Sequence, residues 1–474
     1  MSINEWLLFF LSYNLLIFVG SQRLFKLAGV DSWKSLIPIY NIVKHLEIIN
    51  RPKWWVILVF IPVINLLMIP VIWVEFIKRF NHNSRLDRIL VITTLGLYLF
   101  YISYVSKRTK YVENISFSNF ERSLGSLVFA VVIATIVHNY ILQPFVIPTG
   151  SLEKTLRVGD FLLVSKFHYG ARIPSTVISF PMVHDTIPIL KTRSYLKKPQ
   201  LPYIRIPGFQ EIKNNDIVVF NWPADTVRKF FVKEKGVIKP RDKKSNYVKR
   251  AIGVPGDSLE IKDGIVYLNG QENKLPERAK PLYTYKIFSK DGVSSSKLKN
   301  LDIDGFIRKF IIRNLSQESY NSLKANILSI SNTNENEYLI YTDDQGIPIK
   351  KVRELNIDIR EIIDNERELS LTFNDANKIR NSNEFDTIFR SIEKTNYINS
   401  VFFPGNKRFS WNNDQLGPIY IPKAGEKIKL TTDDLPLYKK IIRDYENNEI
   451  EVVDNNIYIN GEISSNYTFK QDYY

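Results

Sequence analysis

Four stretches of the chain carry no charged side chain: Trp6 to Gln22, Trp54 to Val74, Ile89 to Ser106 and Ser123 to Gln143, of 17, 21, 18 and 21 residues. Crossing about 30 Å of hydrocarbon takes about 20 apolar residues, so the second and fourth are long enough to span a bilayer and the other two are marginal. Trp and Tyr near the ends favour membrane helices over buried helices of a soluble protein. Pro62, Asn65 and Pro70 inside the second run leave a kinked or re-entrant segment open. The first run is preceded only by Glu5 and has no small-residue cleavage site after it, so it reads as an anchor.

Basic residues divide these runs. Arg23, Lys26, Lys34, Lys44, Arg51 and Lys53 follow the first, and Lys107, Arg108, Lys110 and Arg122 precede the fourth. The positive-inside rule then places both loops in the cytoplasm and everything after Gln143 outside it. Lys78, Arg79, Arg85 and Arg88, between the second and third runs, disagree with this scheme, so the last crossing is better defined than the total. The expectation is a membrane region over residues 1–143 with about four transmembrane helices.

From Phe145 onward the pattern becomes short apolar runs broken by Gly, Pro, Asn and Asp, as in Phe161 to Ser165, Asp216 to Phe220 and Ile265 to Leu268, which is a mostly-β reading. Ser258 to Gln271 and Glu449 to Glu462 echo one another. Each reads as strand, Asp-Gly or Asn-Asn turn, strand, then Asn-Gly, and so as a hairpin. The stretch between them is richer in Asn, Ser, Lys and Glu and reads as an inserted β-rich subdomain with some helix, at Leu323 to Ile330 and Asp386 to Thr395. The expected fold class is N-terminal transmembrane α-helices followed by a mostly-β catalytic domain. Its parts are a β core over 144–272, the insertion over 273–447 and return strands over 448–474.

Composition narrows the function. The 474 residues include 64 Lys and Arg, 49 Asp and Glu, and no Cys, which excludes disulfides, thiolate metal sites and cysteine nucleophiles. Residues 1–122 hold 14 Lys and Arg against 7 Asp and Glu, so about half of the net charge of +15 flanks the apolar runs. That placement points to an anionic membrane surface and away from nucleic acid. No nucleotide loop, metal cluster or dinucleotide turn is present in the sequence, and neither a cofactor nor a metal is expected. The five histidines are scattered and suggest no triad.

Two elements can carry chemistry without histidine. Pro148-Thr149-Gly150-Ser151 is a turn only eight residues past the last apolar run, although a serine after glycine is most often a simple turn residue. Downstream, Lys249 sits among apolar neighbours on a predicted strand that leads into a Gly253-Val254-Pro255-Gly256 turn. A lysine amine serves as a general base only when neutral, which requires apolar burial to lower its pKa by about three units from ~10.4. A neutral amine beside a serine hydroxyl then activates it. An exposed lysine next to Arg250 is the ordinary alternative, and spacing does not exclude it.

These segments resemble type I signal peptidase, the membrane-bound serine protease that cuts signal peptides from exported proteins. Ile147 to Ser151 and on to Gly159-Asp160 resembles the family's nucleophile box, Asn215 to Pro223 its next strand box, and Tyr247 to Arg250 through Asp257 its general-base box. Trp411 to Gly425 is similar to a segment of the larger bacterial members. The resemblance implies a signal-peptidase-like β fold with Ser151 as nucleophile and Lys249 as general base. The oxyanion hole would be the Ser151 N–H and the Thr149 hydroxyl. Phe145, Ile147, Leu152, Leu156, Tyr247 and Val248 would line shallow pockets selecting Ala-X-Ala, with Arg250 and Asp257 structural. It further implies preproteins with signal peptides as partners, membrane lipid around the spans, proximity to the secretion translocon, and a bacterial inner membrane location, multi-pass, with the catalytic domain on the extracytoplasmic side.

Three departures accompany the resemblance. Leu152 replaces a usual methionine, and Lys154 replaces a usual proline, which is expected to loosen the turn. The family's last box, Gly-Asp-Asn-Arg, is not found, since the only Gly-Asp pairs are Gly159-Asp160 and Gly256-Asp257. Its loss would leave a barrel incomplete with one sheet edge unpaired. An alternative is therefore a truncated or split, non-catalytic relative that binds preproteins or needs a second chain. A transporter with a soluble appendage has thin support in Asn14, Asn65 and His138.

Overall fold

Ser2 and Ser118 each begin a long apolar helix in the same way: the serine hydroxyl accepts from the N–H three residues on, and Glu5 or Glu121 accepts from the serine N–H in return. The computed structural model describes residues 2–152, 154–225, 236–334, 336–394, 402–406 and 408–474. In it the two helices run Ile3–Leu27 and Asn119–Ile141, 25 and 23 residues, and both are long and apolar enough to cross a membrane.

The second and third charge-free runs are divided instead. The Trp55–Phe60 helix stops where Ile61 turns extended, as the residue before a proline is pushed to do, and Asn65–Lys78 follows with Pro70 inside it. Arg85–Thr93 breaks at Leu95 and Gly96, both at positive φ, before Tyr98–Phe100 and a wide turn over Tyr101–Val105. Two of the four expected spans are thus continuous, and the other two become short helices. Leu24, Phe25, Leu46, Phe76, Phe80, Val91, Leu99 and Ile102 form their shared core. Ion pairs fix the ends of this layer: Glu121 meets Lys78 at 2.9 Å and Arg88 at 3.0 Å, and Arg51 holds Glu75 with two bonds of 2.7 and 2.6 Å.

The chain forms two compact units. The first comprises Met1–Val146, Phe161–Ile212 and Ile217–Lys249, the second Ile147–Asp160, Lys213–Asp216 and Arg250–Tyr474. In the first, the Asn119–Ile141 helix runs directly into the strand Leu142–Val146, which pairs antiparallel with Phe161–Ser165 so that Phe145 faces Leu162 across the ladder. Ile217–Asn221 pairs with Asn246–Arg250. Isolated bridges from Arg172/Arg205 to Thr186/Arg193 tie an irregular excursion together, and Asp242 anchors it by accepting from Ser175 and Thr176.

In the second unit the two echoing segments fold alike. Ser258–Lys262, Ile265–Leu268 and Gln271–Glu272 make one three-stranded meander, and Ile450–Val453, Asn456–Ile459 and Glu462–Ile463 the other. The turn residues Asp263-Gly264 and Asp454-Asn455 all have positive φ, the requirement of a type I′ hairpin turn. At the second corner Asn269 and Asn460 each accept a 2.8 Å bond from the start of their meander, at the N–H of Ser258 and Glu449. The two-strand reading was right, but it set the second turn at Asn-Asn, one residue late since Asn456 is already on the strand, and it omitted the short third strand.

Between the meanders lie two sheets. Tyr283–Phe288 is flanked by Glu366–Leu371 and Thr387–Arg390, and the other sheet runs in the order Ser329–Asn334, Glu337–Thr342, Arg308–Arg313, Asp358–Glu361. Both helix expectations here are corrected. The helix is Gln317–Leu323, set early by the Ser316 cap, and the downstream residues enter the strand Ser329–Asn334, where Ile330 pairs with buried Ile340. At Asp386 to Thr395, Thr387, Ile388 and Phe389 suit a strand and add one beside Tyr283–Phe288, with Ile388 opposite buried Ile287. Thr395 lies outside the described residues. Leu416–Tyr420 then returns to pair with Ser258–Lys262.

The break in the third run depends on Gly96. A Cβ there would lie 2.9 Å from two ring atoms of Trp73, at φ +84°. Gly96→Ala is expected to destabilise the protein by about 2 kcal/mol through clash and a left-handed backbone. Thermal unfolding of the detergent-solubilised chain checks this, and an unchanged melting temperature contradicts it.

Candidate functional site

Ile147 is buried, and its backbone closes a loop. Its N–H donates to the Asp160 carbonyl at 3.0 Å, and its carbonyl accepts from the Gly159 N–H at 2.9 Å. Gly159 has φ +92°, a conformation that an L side chain rarely adopts. Inside the loop the Thr155 and Leu156 N–H groups both donate to the Leu152 carbonyl at 2.8 Å, and the Asp160 carboxylate accepts from the Arg157 N–H at 2.8 Å. Thr149 and Ser151 are left exposed, while Leu152 and Leu156 are half-buried. A hydroxyl in this position is accessible to a large substrate.

Lys154 does not loosen the turn as expected. Its ammonium lies 2.8 Å from Asp304 Oδ1 and 2.9 Å from Asp375 Oδ2, with only 13% of the side chain exposed. The Thr155 hydroxyl accepts from the Lys280 N–H at 3.2 Å. Burial lowers the Lys154 pKa, but the hydrogen bonds to Asp304 and Asp375 outweigh it and the net shift is upward. The hydrogen bond from Lys154 holds Asp304 below the usual carboxylate range. For Asp375, burial acts upward but is outweighed by bonds from Lys154 and Thr372.

Lys249 lies on the strand Asn246–Arg250, half-buried, its ammonium 5.9 Å from the centre of the Tyr247 ring. Trp222 stacks obliquely on Tyr247 at 5.2 Å, and Val248 is half-buried beside them. Past this strand, the turn at Gly253–Gly256 is braced by Asp257. Its carboxylate accepts from the Val254 N–H at 2.9 Å and from the side-chain amides of Asn214 and Asn269, both at 2.8 Å. Burial would raise the Asp257 pKa, and these three bonds override it and lower it. Arg250 donates to the Asn215 carbonyl at 2.8 Å. Both residues thus carry the bracing bonds expected of structural groups.

The loop of the second unit brings Ile147, Thr149, Ser151, Leu152 and Leu156 together. Phe145, Tyr247, Val248 and Lys249 sit on strands of the first unit. Sequence reasoning missed Lys166, whose ammonium is 5.8 Å from the Phe145 ring and whose pKa burial, helped by the Arg172 charge, pushes down to about 8. Its position directly after the apolar run Phe161 to Ser165 was a usable signal. Asp304 and Asp375 gave none, because their contact with Lys154 spans more than a hundred residues. Among the described residues no group of three or more His, Asp or Glu could hold a metal ion.

Comparison with known proteins agrees with the motifs. Residues 121–333 match the family described as signal peptidase, peptidase S26, and residues 33–114 match a family of unknown function, DUF5684. The signal peptidase I of Rickettsia massiliae (strain Mtu5) is 31% identical over 175 residues, 37% of this chain and 50% of that protein. The signal peptidase I of Rickettsia typhi (strain ATCC VR-144 / Wilmington) is 29% identical over 179 residues, 38% and 52%. The chain spans about half the length of the curated relatives it matches. No solved structure matches. The resemblance to type I signal peptidase is therefore borne out over the region that holds all three boxes.

Lys166 carries a pH dependence. Its pKa is about 8 when folded and 10.5 ordinarily, so between these values the unfolded chain binds more protons and stability rises with pH. Lys166→Met is expected to raise the melting temperature at pH 7 and to flatten the rise between pH 8 and 10.5. Melting the detergent-solubilised variant across that range tests this, and an undiminished rise contradicts it.

Proposed function

We propose that this chain, of the signal-peptidase type over residues 121–333, is a membrane-bound serine endopeptidase that removes N-terminal signal peptides from exported preproteins. The observation that carries the reading is the order of three boxes, nucleophile loop, strand and lysine strand, inside the matched region and directly after a helix long and apolar enough to cross a membrane. Residues 273–447 are then an insertion into the catalytic core. Preproteins approach from the extracytoplasmic side near the secretion translocon, and the apolar helices of a multi-pass region sit in lipid.

Ser151 attacks the scissile carbonyl while Lys249, as a neutral amine, takes the hydroxyl proton. The tetrahedral oxyanion receives hydrogen bonds from the Ser151 N–H and the Thr149 hydroxyl. Collapse breaks the peptide bond, the lysine returns its proton to the leaving amine, and the signal peptide remains as an ester on Ser151. Lysine-activated water then hydrolyses the ester. The extended substrate pairs its main chain with the strand that leads into Ser151. Phe145, Ile147, Leu152, Leu156, Tyr247 and Val248 form apolar walls that accept only small side chains, which selects Ala-X-Ala. Lys249 is half-buried beside the Tyr247 ring, which Trp222 meets at an oblique angle.

The test is cleavage of an Ala-X-Ala preprotein by the full chain in detergent. Ser151→Ala and Lys249→Ala are expected to lower kcat about 10³-fold or more, and Thr149→Val about 10²-fold. Normal cleavage by Ser151→Ala would sink the proposal.

A further inference from the structure

We propose that Lys154 is a positioning residue for Ser151, and that Asp304 and Asp375 form a carboxylate clamp by which the sheet region after the first meander fixes the nucleophile loop. The inference rests on the peptidase reading and adds to it a function for the region between the meanders.

The loop closes on itself at Ile147, Gly159 and Asp160, but those bonds act at its base. Its middle is held from outside by Lys154 to Asp304 and Asp375, by Arg157 to Asp304 at 3.7 Å, and by the Lys280 N–H to the Thr155 hydroxyl. Lys154 stands three residues from Ser151 in the chain, and on either side of it the Leu152 carbonyl accepts from the Thr155 and Leu156 N–H groups. A displacement of Lys154 is therefore passed to the serine.

The clamp is itself fixed. Asp375 accepts a 2.8 Å bond from the Thr372 hydroxyl and completes the capping box with Thr372 at the start of the helix Phe373–Asn381, whose Ala376 and Ile379 are buried in the core with Tyr285 and Ile287. With the Lys154 side chain 13% and that of Asp375 11% exposed, the pair is shielded from salt, and losing either partner leaves a poorly solvated charge. A proline, usual in the resembling family at this place, would restrict the loop through its own φ. Here the restraint is an ion pair reaching more than two hundred residues along the chain.

The experiment compares the full chain in detergent with Lys154→Met, Lys154→Arg, Asp304→Asn and Ser151→Ala on an Ala-X-Ala preprotein, each well below its melting temperature. Misplacing a reacting group by about 1 Å costs up to about 10²-fold in rate, so Lys154→Met is expected to lose about 10- to 100-fold in kcat with KM within about twofold. Lys154→Arg, which keeps the charge, is expected to recover most of it, a rescue that simple loss of packing would not predict. Should Lys154→Met fail to fold, Asp304→Asn, a change at a half-exposed carboxylate, decides the matter with an expected fall in kcat of about three- to tenfold. Wild-type kcat in Lys154→Met or in Asp304→Asn, beside an inactive Ser151→Ala, overturns the clamp and leaves the peptidase reading standing. Wild-type cleavage by Ser151→Ala overturns both.

Discussion

Two backbone hydrogen bonds at Ile147, to Asp160 and from Gly159, hold the base of the loop on which the rest of the proposed chemistry depends. They turn a stretch of fourteen residues that could wander into a closed loop with buried Ile147 at its root and exposed Ser151 along its edge. Glycine at 159 permits the closure, because the backbone there is left-handed. The internal bonds to the Leu152 carbonyl and the ion pairs of Lys154 add further restraints. A serine used as a nucleophile has to be both accessible and fixed, and under the proposed function this loop would supply the two properties from different bonds.

The same economy relates the membrane region to the loop. The Asn119–Ile141 helix enters the strand Leu142–Val146 without a linker, so the chain reaches Ile147 within six residues of the helix end. At the other end of that helix, Glu121 both completes the capping box with Ser118 and pairs with Lys78 and Arg88. The helix is therefore tied to the short helices that replace the two broken runs. That layer matches a family of unknown function over residues 33–114, distinct from the signal-peptidase match that begins at residue 121.

Much of this was legible in the residues, for physical reasons that can be named. Turn chemistry is local, so Asp-Gly and Asn-Gly correctly marked the two hairpins, while the Asn-Asn turn lies one residue earlier at Asp454-Asn455, and the side-chain caps repeat atom for atom at Asn269 and Asn460. The strands at Phe161, Ile217 and Ile265 followed from short apolar runs. Charge-free length alone does not show that the second and third apolar runs are divided into shorter helices, a division that the prolines of the second run had left open. Pro62 and Gly96 decide there, through one restricted neighbour and one close approach to Trp73. The helix placed at Leu323 to Ile330 went wrong because Ile330 answers to a partner strand and not to its neighbours in sequence. Lys154 was misread for a similar reason: the carboxylates that make it rigid arise far along the chain. Lys166 stands directly after an apolar run, a signal the sequence reading passed over, but the burial that lowers its pKa comes from tertiary packing.

The central claim is that Ser151 carries the cleaved signal peptide as an ester. The most direct measurement mixes the full chain in detergent with an Ala-X-Ala preprotein, quenches in acid and maps the adduct by mass spectrometry. The expected result is a signal-peptide ester on Ser151 that disappears in Ser151→Ala together with cleavage. An adduct on another residue, or cleavage that persists in Ser151→Ala, would contradict it.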